Sequence, residues 1–142
     1  MINRKGFTLI ELLVVISIIG VLMAISIFGL AGAREASRDA KRKSDLETIR
    51  SGIELYRADC NTYPTTITFG GSLIGDDTPT SCSSDNTYIL EIPTDPTSTT
   101  RNYAYSSDGV TYTLCASMEN SSGTVTGCSS CGTACNYKVT NP

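Results

Sequence analysis

From residue 7 to residue 33 the chain reads FTLIELLVVISIIGVLMAISIFGLAGA, an apolar run broken by one charge, Glu11. A helix of that length reaches ~40 Å at 1.5 Å per residue, more than the ~30 Å hydrocarbon core of a bilayer. A core helix in so small a protein would keep a polar face, so the pattern favours a membrane span. A removable secretory signal has an apolar region of only ~7–15 residues followed by a small-residue cleavage site. This run is longer and basic residues follow it directly, so the segment is expected to stay in the mature chain.

The pattern changes at residue 34. Residues 34–59 hold no Pro and place Leu46, Ile49, Ile53 and Tyr56 at steps of three, four and three. That is one apolar stripe of helical period on a charged surface. One helix is therefore expected from Phe7 to about Asp59, weakened locally by Gly20, Gly29, Gly32 and Gly52. Beyond it, Gly70-Gly71, Gly75-Asp76-Asp77 and Pro79 supply turn material to about residue 85. Strands are expected at 88–91, 102–106 and 110–116, where Tyr103/Tyr105 and Tyr112/Leu114 alternate, with Ser107-Asp108-Gly109 as a hairpin loop. The expected fold class is α+β: a long N-terminal helix, membrane span plus amphipathic half, packed on a small three-stranded antiparallel sheet.

Composition removes most chemistry. The 142 residues include no His and no Trp, with 11 Lys and Arg against 14 Asp and Glu, a net charge of −3. Without His there is no Ser-His or Cys-His nucleophile pair, no imidazole zinc ligand and no usual base near neutral pH. An enzyme is therefore the least supported reading, no cofactor is implied, and a net negative charge argues against nucleic acid as a partner. The charge is also divided. Residues 1–59 carry nine basic and seven acidic side chains, whereas residues 60–142 carry only Arg101 and Lys138 against seven acids. Arg34, Arg38, Lys41, Arg42 and Lys43 follow the apolar run; they suit lipid phosphates or acidic surfaces of adjacent subunits, or else form a solvated face neutralised by Glu35, Asp39 and Asp45.

All six cysteines, Cys60, Cys82, Cys115, Cys128, Cys131 and Cys135, lie in the second part. Six allow fifteen pairings. Cys60–Cys82 would pin the post-helix loop to the helix end, and Cys115 would hold the tail through one of the last three. Those three, spaced C-x2-C-x3-C, would need a fourth thiolate to make a zinc site. In a head too small for a large core, three disulfides are the stronger reading. They place the head outside the cell, whereas the basic residues flanking the span on its C-terminal side would place it in the cytoplasm.

The segment Lys5-Gly6-Phe7-Thr8-Leu9-Ile10-Glu11-Leu12-Leu13-Val14-Val15 resembles the class III signal of type IV prepilins and type II secretion pseudopilins. The resemblance implies a leader of Met1 to Gly6, cleavage between Gly6 and Phe7 by a prepilin peptidase, and N-methylation of Phe7. It implies that Glu11 meets the α-ammonium of a neighbouring subunit and sets axial register. A carboxylate inside a span costs ~2.5–3.5 kcal/mol unless paired, which agrees with such a role; a Glu that merely snorkels to the interface is the plainer alternative. The resemblance also implies a topology with the head outside, in line with the cysteines. The domains expected are the leader (1–6), a transmembrane and filament-core helix (7–33), an amphipathic helix packing on the head (34–59) and a disulfide-rich extracytoplasmic head (60–142). The string LYRADCNTYPTT…YILEIPTDPT…YAYSSDG…YTLCA is similar to major pseudopilins and related pilins, whose fold is the type IV pilin-like one. Major pseudopilins bind calcium near the hairpin; Asp95 and Asp108 are the candidate ligands, although the usual C-terminal acidic loop is absent. Many type IV pilins carry a Pro in the span, and this chain has none.

The expected function is that of a structural pilin subunit, assembled into a type IV pilus or pilus-like filament. The alternatives are a type II secretion pseudopilin, or a minor pilin acting as adhesin or DNA-capturing tip. The implied partners are further copies in a helical filament, the prepilin peptidase and methyltransferase, an inner-membrane assembly platform, and membrane lipid before assembly. The implied location is the cytoplasmic membrane as a single-pass protein, then an extracellular or periplasmic filament.

Overall fold

A computed structural model describes residues 6–142, so Met1 to Lys5 of the expected leader lie outside the described residues. The elements are α1 (Leu9–Cys60), β1 (Leu73–Ile74), β2 (Thr87–Ile89), β3 (Ala104–Ser107), β4 (Tyr112–Ala116) and β5 (Tyr137–Thr140). The chain divides into two units, residues 1–35 and 36–142. The architecture is α+β, as the patterning predicts.

In the first unit, α1 starts at a reciprocal cap. Thr8 precedes the helix and Glu11 stands three residues later, the spacing at which each side chain reaches the other's backbone N–H. No Pro interrupts α1, and Gly20, Gly29 and Gly32 lie within it without breaking it. This part is long and apolar enough to cross a membrane. Its large apolar side chains from Leu9 to Ile27, and Leu30, are exposed.

In the second unit, α1 ends at Cys60. Asn61 adopts φ 60° and its N–H donates to the Arg57 carbonyl at 2.9 Å, a left-handed stop that Asn tolerates better than most residues. Leu46, Ile49, Ile53 and Tyr56 are all buried, so the helical stripe is the core face. They share one cluster with Tyr63, Leu73, Ile89, Ile92, Tyr103, Tyr112, Leu114 and Val139. Burial of such side chains contributes about 1.5–3 kcal/mol each. The tyrosines keep their hydroxyls satisfied: Tyr103 donates to Asp45 at 2.9 Å, and Tyr63 and Tyr112 both donate to Glu54. Gly52 lets β2 approach the helix closely, since a Cβ there would stand 2.2 Å from Ile89 Cγ1.

The strands differ from the expected three-stranded arrangement. The 102–106 and 110–116 segments pair as β3 and β4, around the expected hairpin loop. The 88–91 segment does not join them. It contributes to β2, which pairs antiparallel with β1 in a separate two-stranded sheet. The third strand of the larger sheet is β5, from the stretch read as a tail; Leu114 faces Val139 and Ala116 faces Tyr137 across it. Four residues after a Gly, Ser and Cys-rich loop carry too little alternation to mark a strand. What makes them one is pairing with β4 and burial of Val139 in the core.

Candidate functional site

Two groups of functional side chains are separated along α1. At its N-terminus, the Thr8 backbone N–H and hydroxyl both donate to Glu11 Oε2, at 2.8 and 2.6 Å, and the Glu11 N–H returns to Thr8 Oγ1 at 3.3 Å. Glu11 is thus the N3 member of a capping box, and its carboxylate has partners within its own chain. Thr8-x-x-Glu11 before an apolar run is the sequence signature of such a cap, a neutral partner that looking for counter-charges alone overlooks. Thr8 is neutral, so among the described residues Glu11 is capped by neutral donors and meets no counter-charge. Phe7, the residue next to the expected cut, is 83% exposed, and with Ile10, Val14 and Val15 it borders an open apolar groove beside Glu11.

The basic segment after the apolar run does not present one charged face. Arg42 is fully buried. Its Nε and one terminal nitrogen donate to the two oxygens of Asp95, at 2.8 and 3.1 Å, while the other terminal nitrogen reaches Asp39 at 2.7 Å and Glu119 at 2.8 Å. Arg38 pairs with Glu119 through two nitrogens. Lys41 reaches Asp45 at 2.7 Å, and Lys43 lies over the Tyr137 ring. Arg42, fully buried, is thereby withdrawn both from lipid or a neighbour and from a solvated face, which corrects those readings for it; Arg38 stays partly exposed and pairs within the chain. The planar guanidinium of Arg42 satisfies three carboxylates at once, which a lysine ammonium would not match.

The carboxylates answer in kind. The Arg38 guanidinium draws Glu119 down to about 2, against the opposing effect of burial and with help from Arg42. Burial pushes Asp39 up, but the backbone N–H groups of Asn120 and Glu119, together with Arg42, outweigh it and hold the acid below its ordinary range. Asp95 behaves alike: burial is outweighed by Arg42 and by the Thr97 N–H and hydroxyl. Groups lowered on folding stabilise the fold above their unfolded values, and that stabilisation is lost as pH falls through the folded values. Thermal stability of the chain is therefore expected to hold from neutrality to about pH 5 and to fall between about 4.5 and 2. Glu119→Gln should flatten that fall while lowering stability at neutral pH; thermal melts across the pH range check this.

Each calcium candidate has its carboxylate engaged within the chain. Both oxygens of Asp95 are taken by Arg42, one of them also by Thr97. Asp108 accepts from the Val110 and Thr111 N–H groups at 2.9 and 2.6 Å, which fixes the hairpin turn between β3 and β4. Among the described residues, Cys60, Asp76 and Cys82 have converging ligand atoms, but the two cysteines are joined to each other. Chelation with EDTA is therefore expected to leave the melting temperature unchanged. A fall on chelation would show a cation holding these loops.

The six cysteines form three disulfides, Cys60–Cys82, Cys115–Cys128 and Cys131–Cys135. The C-x2-C-x3-C cysteines are thus bridge members, which corrects the zinc alternative. The participation of Glu119 had no sequence signal, because it lies 77 positions from Arg42 in an irregular loop.

Comparison with known proteins gives two family matches. Residues 1–27 match the prokaryotic N-terminal methylation motif, and residues 30–126 match type II secretion system (T2SS) protein G. The type II secretion system core protein G of Dickeya chrysanthemi is 36% identical over 98 residues, covering 66% of this chain and 63% of that protein. That of Aeromonas hydrophila is 35% identical over 98 residues, covering 66% and 68%, and that of Escherichia coli K12 is 36% identical over 97 residues, covering 66% and 67%. This chain therefore spans a little under two thirds of the first relative and about two thirds of the other two. No solved structure matches it.

Proposed function

The chain belongs to the type II secretion system protein G family, and from that premise we propose that it is a pseudopilin, a structural subunit of a short helical fibre. The observation that carries this is the order of the two matches, a methylation motif over residues 1–27 and protein G over residues 30–126. It favours the secretion pseudopilin over the broader reading of a surface pilus subunit. The relatives' names support the same choice.

In this reading a prepilin peptidase cuts between Gly6 and Phe7, and Phe7 is then N-methylated. The apolar part of α1 anchors the subunit in the cytoplasmic membrane, with residues 60–142 outside as a disulfide-rich head. On assembly, the 7–33 segments leave lipid and pack together as the fibre core, while Glu11 exchanges its neutral Thr8 cap for the ammonium of a neighbour. The 34–59 segment carries the head through its apolar stripe and the Arg42 cluster. The role is structural rather than catalytic.

Deleting the gene in its own host distinguishes the two fibre types. Folded exoproteins should accumulate inside the outer boundary of the cell, with surface filaments unchanged. Loss of surface filaments with secretion intact would favour the pilus reading instead.

A further inference from the structure

The connection between β4 and β5, residues 117–136, is far longer than the ~2–5 residues of an ordinary hairpin. Its only aliphatic side chains are Met118, Val125 and Ala134. The packing beneath it is made largely of cystine sulphur: Cys115, Cys131 and Cys135 are buried with Ala104, and Cys128 and Val125 pack against them. A loop so poor in apolar groups gains little by burial, so its ordering depends on the two cross-links.

The segment they restrain touches the helix. Inside the ring closed by Cys115–Cys128, the Glu119 and Asn120 N–H groups donate to Asp39, each at 2.8 Å to its nearer oxygen. The Glu119 carboxylate accepts from Arg38 and Arg42. Asn136, next to Cys135, closes the other side, receiving the Met118 N–H at 2.6 Å and donating to the Met118 and Ser121 carbonyls. The three bridges, moreover, join the cysteines strictly in order: first to second, third to fourth, fifth to sixth. Each partner is thus the next cysteine to emerge during export, and oxidation in order of emergence gives the native set without reshuffling.

We propose that this chain is a client of an extracytoplasmic dithiol oxidase, and that closing Cys115–Cys128 and Cys131–Cys135 seats residues 117–121 on the helix and makes the subunit competent to assemble. This rests on the head-outside, fibre-forming reading above. For each bridge, one cysteine thiolate attacks the oxidase disulfide to give a mixed disulfide, and the second cysteine thiolate displaces it. Two electrons and two protons pass to the oxidase, which leaves as a dithiol. No isomerase is required.

The test is amide hydrogen exchange on the full chain in detergent micelles, comparing wild type with C115S/C128S, C131S/C135S and C60S/C82S. The first two variants should raise exchange in residues 117–121 and 137–140 by about tenfold or more, with residues 46–56 still protected. C60S/C82S should leave residues 117–121 unchanged. Unchanged exchange there in both of the first two variants would overturn the proposal. If serine variants do not accumulate, stepwise dithiothreitol on the wild type supplies the same comparison.

In cells, C115S/C128S should be cleaved normally yet lose fibre yield by about tenfold or more; wild-type yield would overturn the gating step. A wild-type chain with a protected loop that yields no fibre would overturn the assembly half together with the functional reading, while the exchange result still decides the loop. Peptide mapping from a host lacking a disulfide isomerase should return the three native bridges. Scrambled pairs would contradict the oxidase-only route.

Discussion

Glu11→Ala is expected to leave the chain in the membrane at its normal level and to reduce fibre yield by about two orders of magnitude or more. Insertion depends on the apolar run, and removing its one charge makes that run more apolar. Assembly depends on what the charge does. Among the described residues the carboxylate accepts the Thr8 N–H and hydroxyl, both neutral donors, so the negative charge at the edge of a 27-residue apolar stretch has no counter-charge there. Cleavage after Gly6 would create an α-ammonium at Phe7, and packing subunits side by side brings the two opposite charges into a water-poor fibre core, where pairing is stronger than in water. A deficit of a few kcal/mol recurs at every subunit added, which is why a small local change removes the whole fibre. Glu11→Gln separates the roles, since Gln can still serve as the N3 member of a capping box but carries no charge. It should behave like Ala in assembly. Thr8→Val, which removes only the capping hydroxyl, should cost about 1 kcal/mol at the helix end and leave assembly largely intact. Membrane fractionation and immunoblots of sheared fibres read both effects. A Gln variant with normal fibres would show that capping, not charge, is what Glu11 supplies.

The second large effect is expected at Arg42. Arg42→Ala leaves Asp95 and Asp39 buried without their counter-charge, and breaking a buried pair from one side costs about 3–5 kcal/mol. For a unit of residues 36–142 that corresponds to a fall in melting temperature of roughly 15 °C or more. Arg42→Lys should lie between, because one ammonium cannot reproduce the fork that spans Asp95, Asp39 and Glu119. Replacing both partners with apolar groups, as in Arg42→Met with Asp95→Leu, should recover part of the loss, since no orphaned charge remains. Thermal melts of the full chain in detergent measure this series. An Arg42→Ala variant that melts like the wild type would remove the ion cluster from the account of how the head is held.

The sequence made the helix legible because its two signals are long and periodic: an unbroken apolar run, then Leu46, Ile49, Ile53 and Tyr56 at helical steps. The β3–β4 hairpin was legible from the alternation of Tyr103, Tyr105, Tyr112 and Leu114 and from a Ser-Asp-Gly loop. The fate of β2 and β5 was not, because both are short and their pairing is decided by distant partners, Leu73 and Leu114 among them. Arg42 shows the same limit from the side of charge. In sequence it is one of five basic residues after a membrane span, a pattern that suits lipid phosphate. Only the fold reveals that Asp95 and Glu119 arrive from 53 and 77 positions away to bury it. Local chemistry, such as Thr8 with Glu11, could be read from spacing alone.

The most direct measurement of the central claim is the intact mass of the chain recovered from sheared or purified fibres. The expected polypeptide begins at Phe7, lacks residues 1–6, carries one methyl group, and is short of two hydrogens for each of the three bridges. A fibre fraction without the chain, or one holding it unprocessed with its leader attached, would contradict the account.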